Sequence, residues 1–274
     1  MHEEPLVVLK QQLRQVPWIV GPARFVRSAA ASASARIRNE AEDARQMFLF
    51  RTNVAQRRQW LADYHACKSV QDYYTFAKAA FGLTQIQSEI TGFIQLAAKI
   101  DPHHICEIGV EKGGTNFLLS QSLPAVKLIV GIDLFVKGRT RLRHFSRPDQ
   151  ELRYINGSSY ASRTVGRFRR ILGSRTLDVL FIDGDHSYEG VKRDFLLYRE
   201  FVRDGGLIAF HDICPDYGAR FGRDTGRWSG GVPAFWNKIK AFYENHEFIG
   251  SADQDGLGIG VIRHDSKVQI PHDF

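Results

Sequence analysis

The run His104-Ile-Cys-Glu-Ile-Gly-Val-Glu-Lys-Gly-Gly-Thr-Asn-Phe-Leu-Leu-Ser120 decides how this chain folds. It opens as a short apolar strand, breaks at glycines, and resumes as a helix at Thr115. Strand, glycine turn and helix in that order mark a nucleotide site at the carboxyl edge of a parallel sheet. Gly109 permits the sharp turn, and Gly113 and Gly114 are expected to let a ligand approach the main chain closely. The unpaired N–H groups that open the helix, and its positive dipole end, face that ligand.

A dinucleotide fold would carry G-x-G-x-x-G, so that a diphosphate lies against bare backbone. Here Glu111 occupies the middle glycine position, and its carboxylate would repel a diphosphate. A dehydrogenase is therefore disfavoured. The spacing Glu107-x-Gly109-x-x-x-Gly113-Gly114 instead resembles motif I of the class I S-adenosylmethionine (SAM) methyltransferases, whose glycine loop cradles the methionine end of SAM. Lys127-Leu-Ile-Val-Gly-Ile-Asp133 is a second apolar strand, ending in an acid 26 residues after Glu107 and placed to bind ribose hydroxyls. Tyr154-Ile-Asn-Gly-Ser-Ser159 reads as a third strand tip, which in that family lies beside the adenine. Leu177–Asp183 and Gly206–Asp212 are the fourth and fifth strands, apolar runs bounded by glycines or acids. Glu247–Gly250 and Gly256–Arg263 form a final antiparallel hairpin. The resemblance implies SAM contacts from Glu107, Gly109, Gly113, Gly114, Thr115, Asp133, Gly157, Ser158 and Asp183. The expected fold is α/β: a doubly wound, Rossmann-like, seven-stranded, mostly parallel sheet (residues 86–274) with an N-terminal helical appendage (residues 1–85).

The second half of the sheet carries the reactive groups. In Phe181-Ile-Asp-Gly-Asp-His-Ser-Tyr-Glu-Gly-Val-Lys-Arg-Asp194 the strand ends at Asp183, the chain turns at Gly184, and Asp185 and His186 project above the sheet. The next strand ends at His211-Asp212. If these strands are neighbours, Asp183 and Asp212 converge, and two carboxylates with an imidazole suit a hard divalent ion. The plainer alternative is that the acids cap strand ends and His186 bonds backbone at a helix start. The run I-D-G-D-H-x-Y-E-x-x-x-x-D followed by G-G-x-I-x-F-H-D resembles the metal-dependent O-methyltransferases of sugars and related hydroxylated natural products. This implies Mg²⁺ or Mn²⁺ held by Asp183, Asp212 and His211, with His186 or Asp185 as general base. Relatives usually place an acid where this chain has His211. Gln85-Ile-Gln-Ser-Glu-Ile90 resembles the segment leading into motif I in the same branch, with Gln87 or Glu89 in reach of the ligand.

With 274 residues, 43% of them hydrophobic, the chain can bury one substantial α/β core plus an appendage. Cys67, Cys106 and Cys214 are scattered, give no disulfide framework, and point to a reducing cytoplasm. No apolar run approaches the roughly 20 residues that span a bilayer, and the N-terminus lacks the pattern of a signal peptide. The net charge of +7 is uneven, with +5 in residues 1–60 and +8 in residues 137–170. Such an excess recruits nucleic acid, anionic lipid or an acidic glycan, or is simply a solvated surface. The insert from Lys137 to Arg170 lacks the aromatic interleaving of a nucleic-acid platform, which favours an acidic small molecule or glycan as acceptor. From Leu6 to Arg27, apolar residues mix with Lys10, Arg14, Arg24 and Arg27, as in a segment peripheral to a membrane. Pro17 and Pro22 interrupt it, and it serves equally as a hairpin packed on the domain or on a second subunit of a homo-oligomer. Residues 214–231 read as an acceptor lid, Tyr217 and Trp228 stacking on a sugar while Arg220, Arg223 and Arg227 hold an acidic group. The leading expectation is a SAM-dependent, divalent-metal-assisted O-methyltransferase of a sugar or glycan hydroxyl. Its alternatives are a phenolic, polyketide or RNA acceptor, or a non-catalytic SAM-fold adaptor at a membrane surface.

Overall fold

The structure is a computed structural model that describes the backbone of residues 22–271, with side chains from residue 37. The membrane-like run as far as Val20 and the terminal Phe274 lie outside the described residues. Four helices come first: α1 (Pro22–Thr52), α2 (Val54–Ala66), α3 (Val70–Phe81) and α4 (Gln87–Ala98). Strands and helices then alternate as β1 (His104–Ile108), α5 (Gly114–Ser122), β2 (Leu128–Asp133), α6 (Arg139–His144), β3 (Glu151–Asn156), α7 (Ser162–Leu172), β4 (Leu177–Ile182), α8 (Tyr188–Tyr198) and β5 (Val202–His211). Helices α9 (Tyr217–Phe221) and α10 (Val232–Ile239) precede the hairpin of β6 (Asn245–Phe248) and β7 (Ile259–Arg263).

The seven strands lie in the order β3-β2-β1-β4-β5-β7-β6, and only β7 runs against its neighbours. This is the doubly wound sheet expected from the sequence. The strand order reverses between β1 and β4, which opens a crevice at their carboxyl ends. The unbroken apolar runs reflect burial on both faces. In β4, Val179 and Phe181 join the core that receives α3, α4 and α5, whereas Leu180 and Ile182 join the core that receives α7, α8 and α10.

The compact unit that holds the sheet begins at Arg45. The boundary expected at residue 85 falls inside it, because α2 and α3 supply Tyr64, Tyr74, Phe76 and Phe81 to the same core as the sheet. Phe81 stacks on Phe117 of α5 at 5.0 Å, and Phe76 meets Phe145 edge-on at 5.2 Å. Helix α3 starts with a reciprocal cap between Ser69 and Asp72 and stops at Gly82 in the left-handed conformation. Among the described residues no helix is long and apolar enough to cross a membrane. All three cysteines are free and buried.

Part of the charge in the 137–170 insert is used inside the fold. Arg147 donates to the carbonyls of Ser120 (2.6 Å), Leu123 (3.3 Å), Pro124 (3.0 Å) and Val126 (3.0 Å), closing the carboxyl end of α5. Arg141 lies over the rings of Trp60 and Phe81, and Arg143 over Tyr154. Three arginines of the run are thus anchors in space.

Candidate active site

A cavity of about 710 Å³ opens at the carboxyl ends of β1, β2, β4 and β5. Its donor side is walled by Gly109, Glu111, Asp133, Leu134, Gly157 and Ser158, and its acceptor side by Asp183, Asp185, His186, His211, Asp212 and Trp228. Strand tips and the loops that follow them bring these residues to one edge of the sheet.

On the donor side, Asp133 ends β2 and accepts the N–H of Phe135 on Oδ1 and of Glu111 on Oδ2, both at 2.8 Å. Each oxygen keeps a second lone pair for a ribose hydroxyl. Burial raises the Asp133 carboxyl above its usual range. Glu107 is 1% exposed, and burial pushes its carboxyl up to about 8; its Oε2 has no partner. It shares with Thr115 and the glycine turn a narrow recess of about 40 Å³ beside the main cavity.

The glycines of the turn serve close packing as well as the sharp bend. Gly109 has φ 90°, and a Cβ there would stand 1.8 Å from the carbonyl oxygen of Asp183, so this glycine lets β1 and β4 close on each other. At Gly113 a Cβ would strike the Leu142 side chain at 2.4 Å, and at Gly114 the Leu83 backbone at 2.7 Å. These two glycines make room for protein packing, and both line the narrow recess beside the main cavity.

On the acceptor side the charges interlock. His186 Nε2 is 3.5 Å from Asp183 Oδ1, and its Nδ1 is 3.2 Å from Asp212 Oδ2. His186 Nδ1 also lies 3.0 Å from the Trp228 carbonyl, and its ring stacks on Trp228 at 5.6 Å. A proton on Nδ1 donated to that carbonyl leaves Nε2 facing Asp183. His211 is 4% exposed, with Nδ1 3.2 Å from Asp183 Oδ1 and 3.5 Å from Asp212 Oδ1. The Asp183 hydrogen bond and Asp212 draw the His186 imidazole up to about 9 against the effect of burial. Burial raises Asp183, yet His211 and His186 together bring it down to about 2. Two carboxylates facing one cavity thus collect positive charge.

Among the described residues, the group with ligand atoms inside 4.8 Å of one another is Asp183, His186 and Asp212. His186, expected as a base, therefore stands in the ligand group, and His211, which also lines the cavity, places Nδ1 against both carboxylates. Asp212 has φ 62°, a left-handed conformation that is uncommon outside glycine. Asp185 accepts from Ser187 N (2.9 Å) and from the Tyr160 hydroxyl (3.1 Å). Although burial raises it, these bonds hold the Asp185 carboxyl below its usual range.

Two residues of the site were not singled out in the sequence. Gln85 donates from Nε2 to Asp183 Oδ2 at 3.1 Å, and its own carbonyl accepts from Tyr74 Oη at 3.0 Å. Tyr160 lines the cavity beside Asp185. Gln85 opens the recognised Gln85–Ile90 segment, so the signal was present one side chain away. The neighbours favoured instead are turned elsewhere: Gln87 bonds Gln71, and Glu89 is buried against the loop between β6 and β7. In the lid, Trp228 and Arg227 reach the cavity, whereas the Tyr217 hydroxyl donates to Asp253 O at 2.8 Å and Arg220 pairs with Asp253 at 3.4 Å.

Comparison with known proteins agrees with this fold. Residues 106–213 match the family model described as a methyltransferase domain. An uncharacterised protein of Acanthamoeba polyphaga mimivirus is 33% identical over 141 residues, covering 49% of this chain and 58% of that protein. The chain thus spans under two thirds of the length of that relative. An O-methyltransferase from Bacillus cereus, solved in complex with SAH (S-adenosylhomocysteine), shares the fold with TM-score 0.50 and 18% identity, covering 74% of this chain and 96% of that one. The MycE methyltransferase of the mycinamycin biosynthetic pathway, solved with Mg, SAH and mycinamycin VI, has TM-score 0.50 and 18% identity, covering 76% and 56%. Residues 106–213 thus match a methyltransferase domain, and the seven-stranded sheet shares its fold with solved O-methyltransferases.

Proposed function

We propose that the protein transfers the methyl group of SAM to a sugar or glycan hydroxyl, with a divalent ion held by Asp183, His186 and Asp212. One observation carries this reading: the cluster of two carboxylates and an imidazole opens on the same cavity as Asp133, Gly157 and Ser158. The donor set is chemically apt for a divalent cation, and its imidazole favours Mn²⁺ over Mg²⁺. The MycE complex with Mg and SAH lends support from a protein of the same fold. When bound, such an ion lowers the pKa of an acceptor hydroxyl and fixes its oxygen.

The rest follows from the chain's own groups. Asp133 and the β3 tip hold the nucleoside, which fixes the sulfonium end toward β1 and β4. Gln85 and His211 keep Asp183 oriented into the cavity. Trp228, 65% exposed beside His186, offers a flat apolar face on which a sugar ring can lie. Asp185, steadied by Tyr160 and Ser187, receives the acceptor proton. Transfer is an in-line displacement in which fixed orientation supplies much of the acceleration. Exposed Leu134 and Trp228 at the mouth also suit a flat phenolic acceptor, which is the second reading.

The test is methyl transfer from labelled SAM to panels of sugars and phenols, before and after chelation. The expected result is transfer to sugars that is lost with chelator and restored by Mn²⁺. Transfer that survives exhaustive chelation removes the ion from the reading, and transfer confined to phenols selects the second acceptor class.

A further inference from the structure

We propose that Glu89 is a positioning residue for the acceptor half of the cleft, acting through the loop at residues 250–258. The inference rests on reading Asp212 as a ligand of the site, but its geometry stands apart from that reading. Glu89 lies on α4 and is 1% exposed. Its Oε1 accepts from Gly250 N at 3.0 Å and from Gln254 Nε2 at 2.7 Å, and its Oε2 from Gly258 N at 3.0 Å. One carboxylate therefore ties down the beginning, middle and end of the loop. Gln254 extends the clamp, accepting from Ser251 N at 2.9 Å and donating to Gly256 O at 2.8 Å.

The other side of the loop holds the site. Leu257 N donates to Asp212 Oδ1 at 3.2 Å, and Cys214 N donates to Leu257 O at 2.9 Å. Asp255 accepts from Tyr217 N and from the Thr225 hydroxyl, and Asp253 O accepts from Tyr217 Oη. The lid from Cys214 to Gly231 is thus fastened to a loop that is itself fastened to Glu89. Leu257 has φ 61° and faces Asp212 with φ 62°. An aliphatic residue in the left-handed region persists only where its surroundings over-determine it. The three hydrogen bonds to Glu89, one of them from the adjacent Gly258, supply that constraint.

Glu89→Gln is the sharp test. Three donors converge on the carboxylate, whereas an amide accepts at one oxygen only and turns its own N–H groups toward a donor. The probes are trypsin cleavage after Arg223 and Arg227, which are exposed in the lid, Mn²⁺ titration, and SAH calorimetry. The lid is expected to be cut about tenfold faster, since cleavage follows the population of the open form. Mn²⁺ affinity is expected to fall about tenfold, with SAH affinity unchanged because Asp133 lies on the far side of the cavity. Lid cleavage and Mn²⁺ affinity equal to the native protein would overturn the proposal. If Glu89→Gln does not fold, Gln254→Ala removes part of the clamp and is expected to shift both readouts the same way by a smaller factor; no shift there also overturns it. Failure of the native protein to bind SAH would remove the methyltransferase reading while leaving the cleavage comparison intact.

Discussion

The two halves of the cleft are built by different means. On the donor side, Asp133 is fixed by amides 2 and 22 residues away, both from the turns that end neighbouring strands. On the acceptor side, Asp212 is fixed by Leu257, 45 residues on, and that loop by Glu89, 169 residues before Gly258. A site made of strand tips and adjacent turns comes with the fold, whereas a site made of loops must be tied down by distant partners. The donor half should therefore tolerate damage to the acceptor half, and the reverse.

The largest expected effect tests that independence at its centre. Asp183→Ala should lower turnover by ~10³-fold or more through loss of the ion and acceptor placement, while SAH affinity stays within about threefold. A parallel collapse of SAH binding, measured by calorimetry, would show that the halves are one unit. The converse is smaller: Asp133→Ala should weaken SAH about 10- to 100-fold through lost charged hydrogen bonds and leave Mn²⁺ affinity unchanged. A matching loss of Mn²⁺ would erase the distinction.

The smallest effect concerns the buried acid beneath the donor side. Burial holds the Glu107 carboxyl at about 8 in the folded chain, so the folded state keeps a proton that the unfolded state has released. Its contribution to stability is full below the unfolded glutamate value and is lost as pH rises through 8. Glu107→Gln should flatten the fall in thermal midpoint of the ligand-free protein between about pH 5 and pH 8. Parallel profiles for native and variant protein would mean that Glu107 stays ionised.

The same contrast explains what the sequence made legible. Apolar runs ending in Asp133, Asp183 and Asp212 disclose strands and the acids at their tips, because period and punctuation are local. The packing beside Gly113 and Gly114 was not legible, since Leu142 and Leu83 fill that space only after α6 and the end of α3 have packed. Nor was the destination of the insert's arginines, which depends on rings and carbonyls brought up from elsewhere. Glu89 and Gln87 looked equivalent on one helical turn, and only the long loop after β6 separates them. The identity of the histidine that joins the carboxylates is of the same kind: His186 and His211 both border the acids, and the lid carbonyl of Trp228 orients one of them.

The central claim is that donor and ion share one cleft. A crystal soaked with SAH and Mn²⁺ tests it directly, through anomalous scattering from the metal and density for the nucleoside. The account predicts a Mn²⁺ peak among Asp183, His186 and Asp212, with the ribose of SAH on Asp133 in the same cavity. SAH bound with no metal peak there, or a metal held on another face of the molecule, would contradict it.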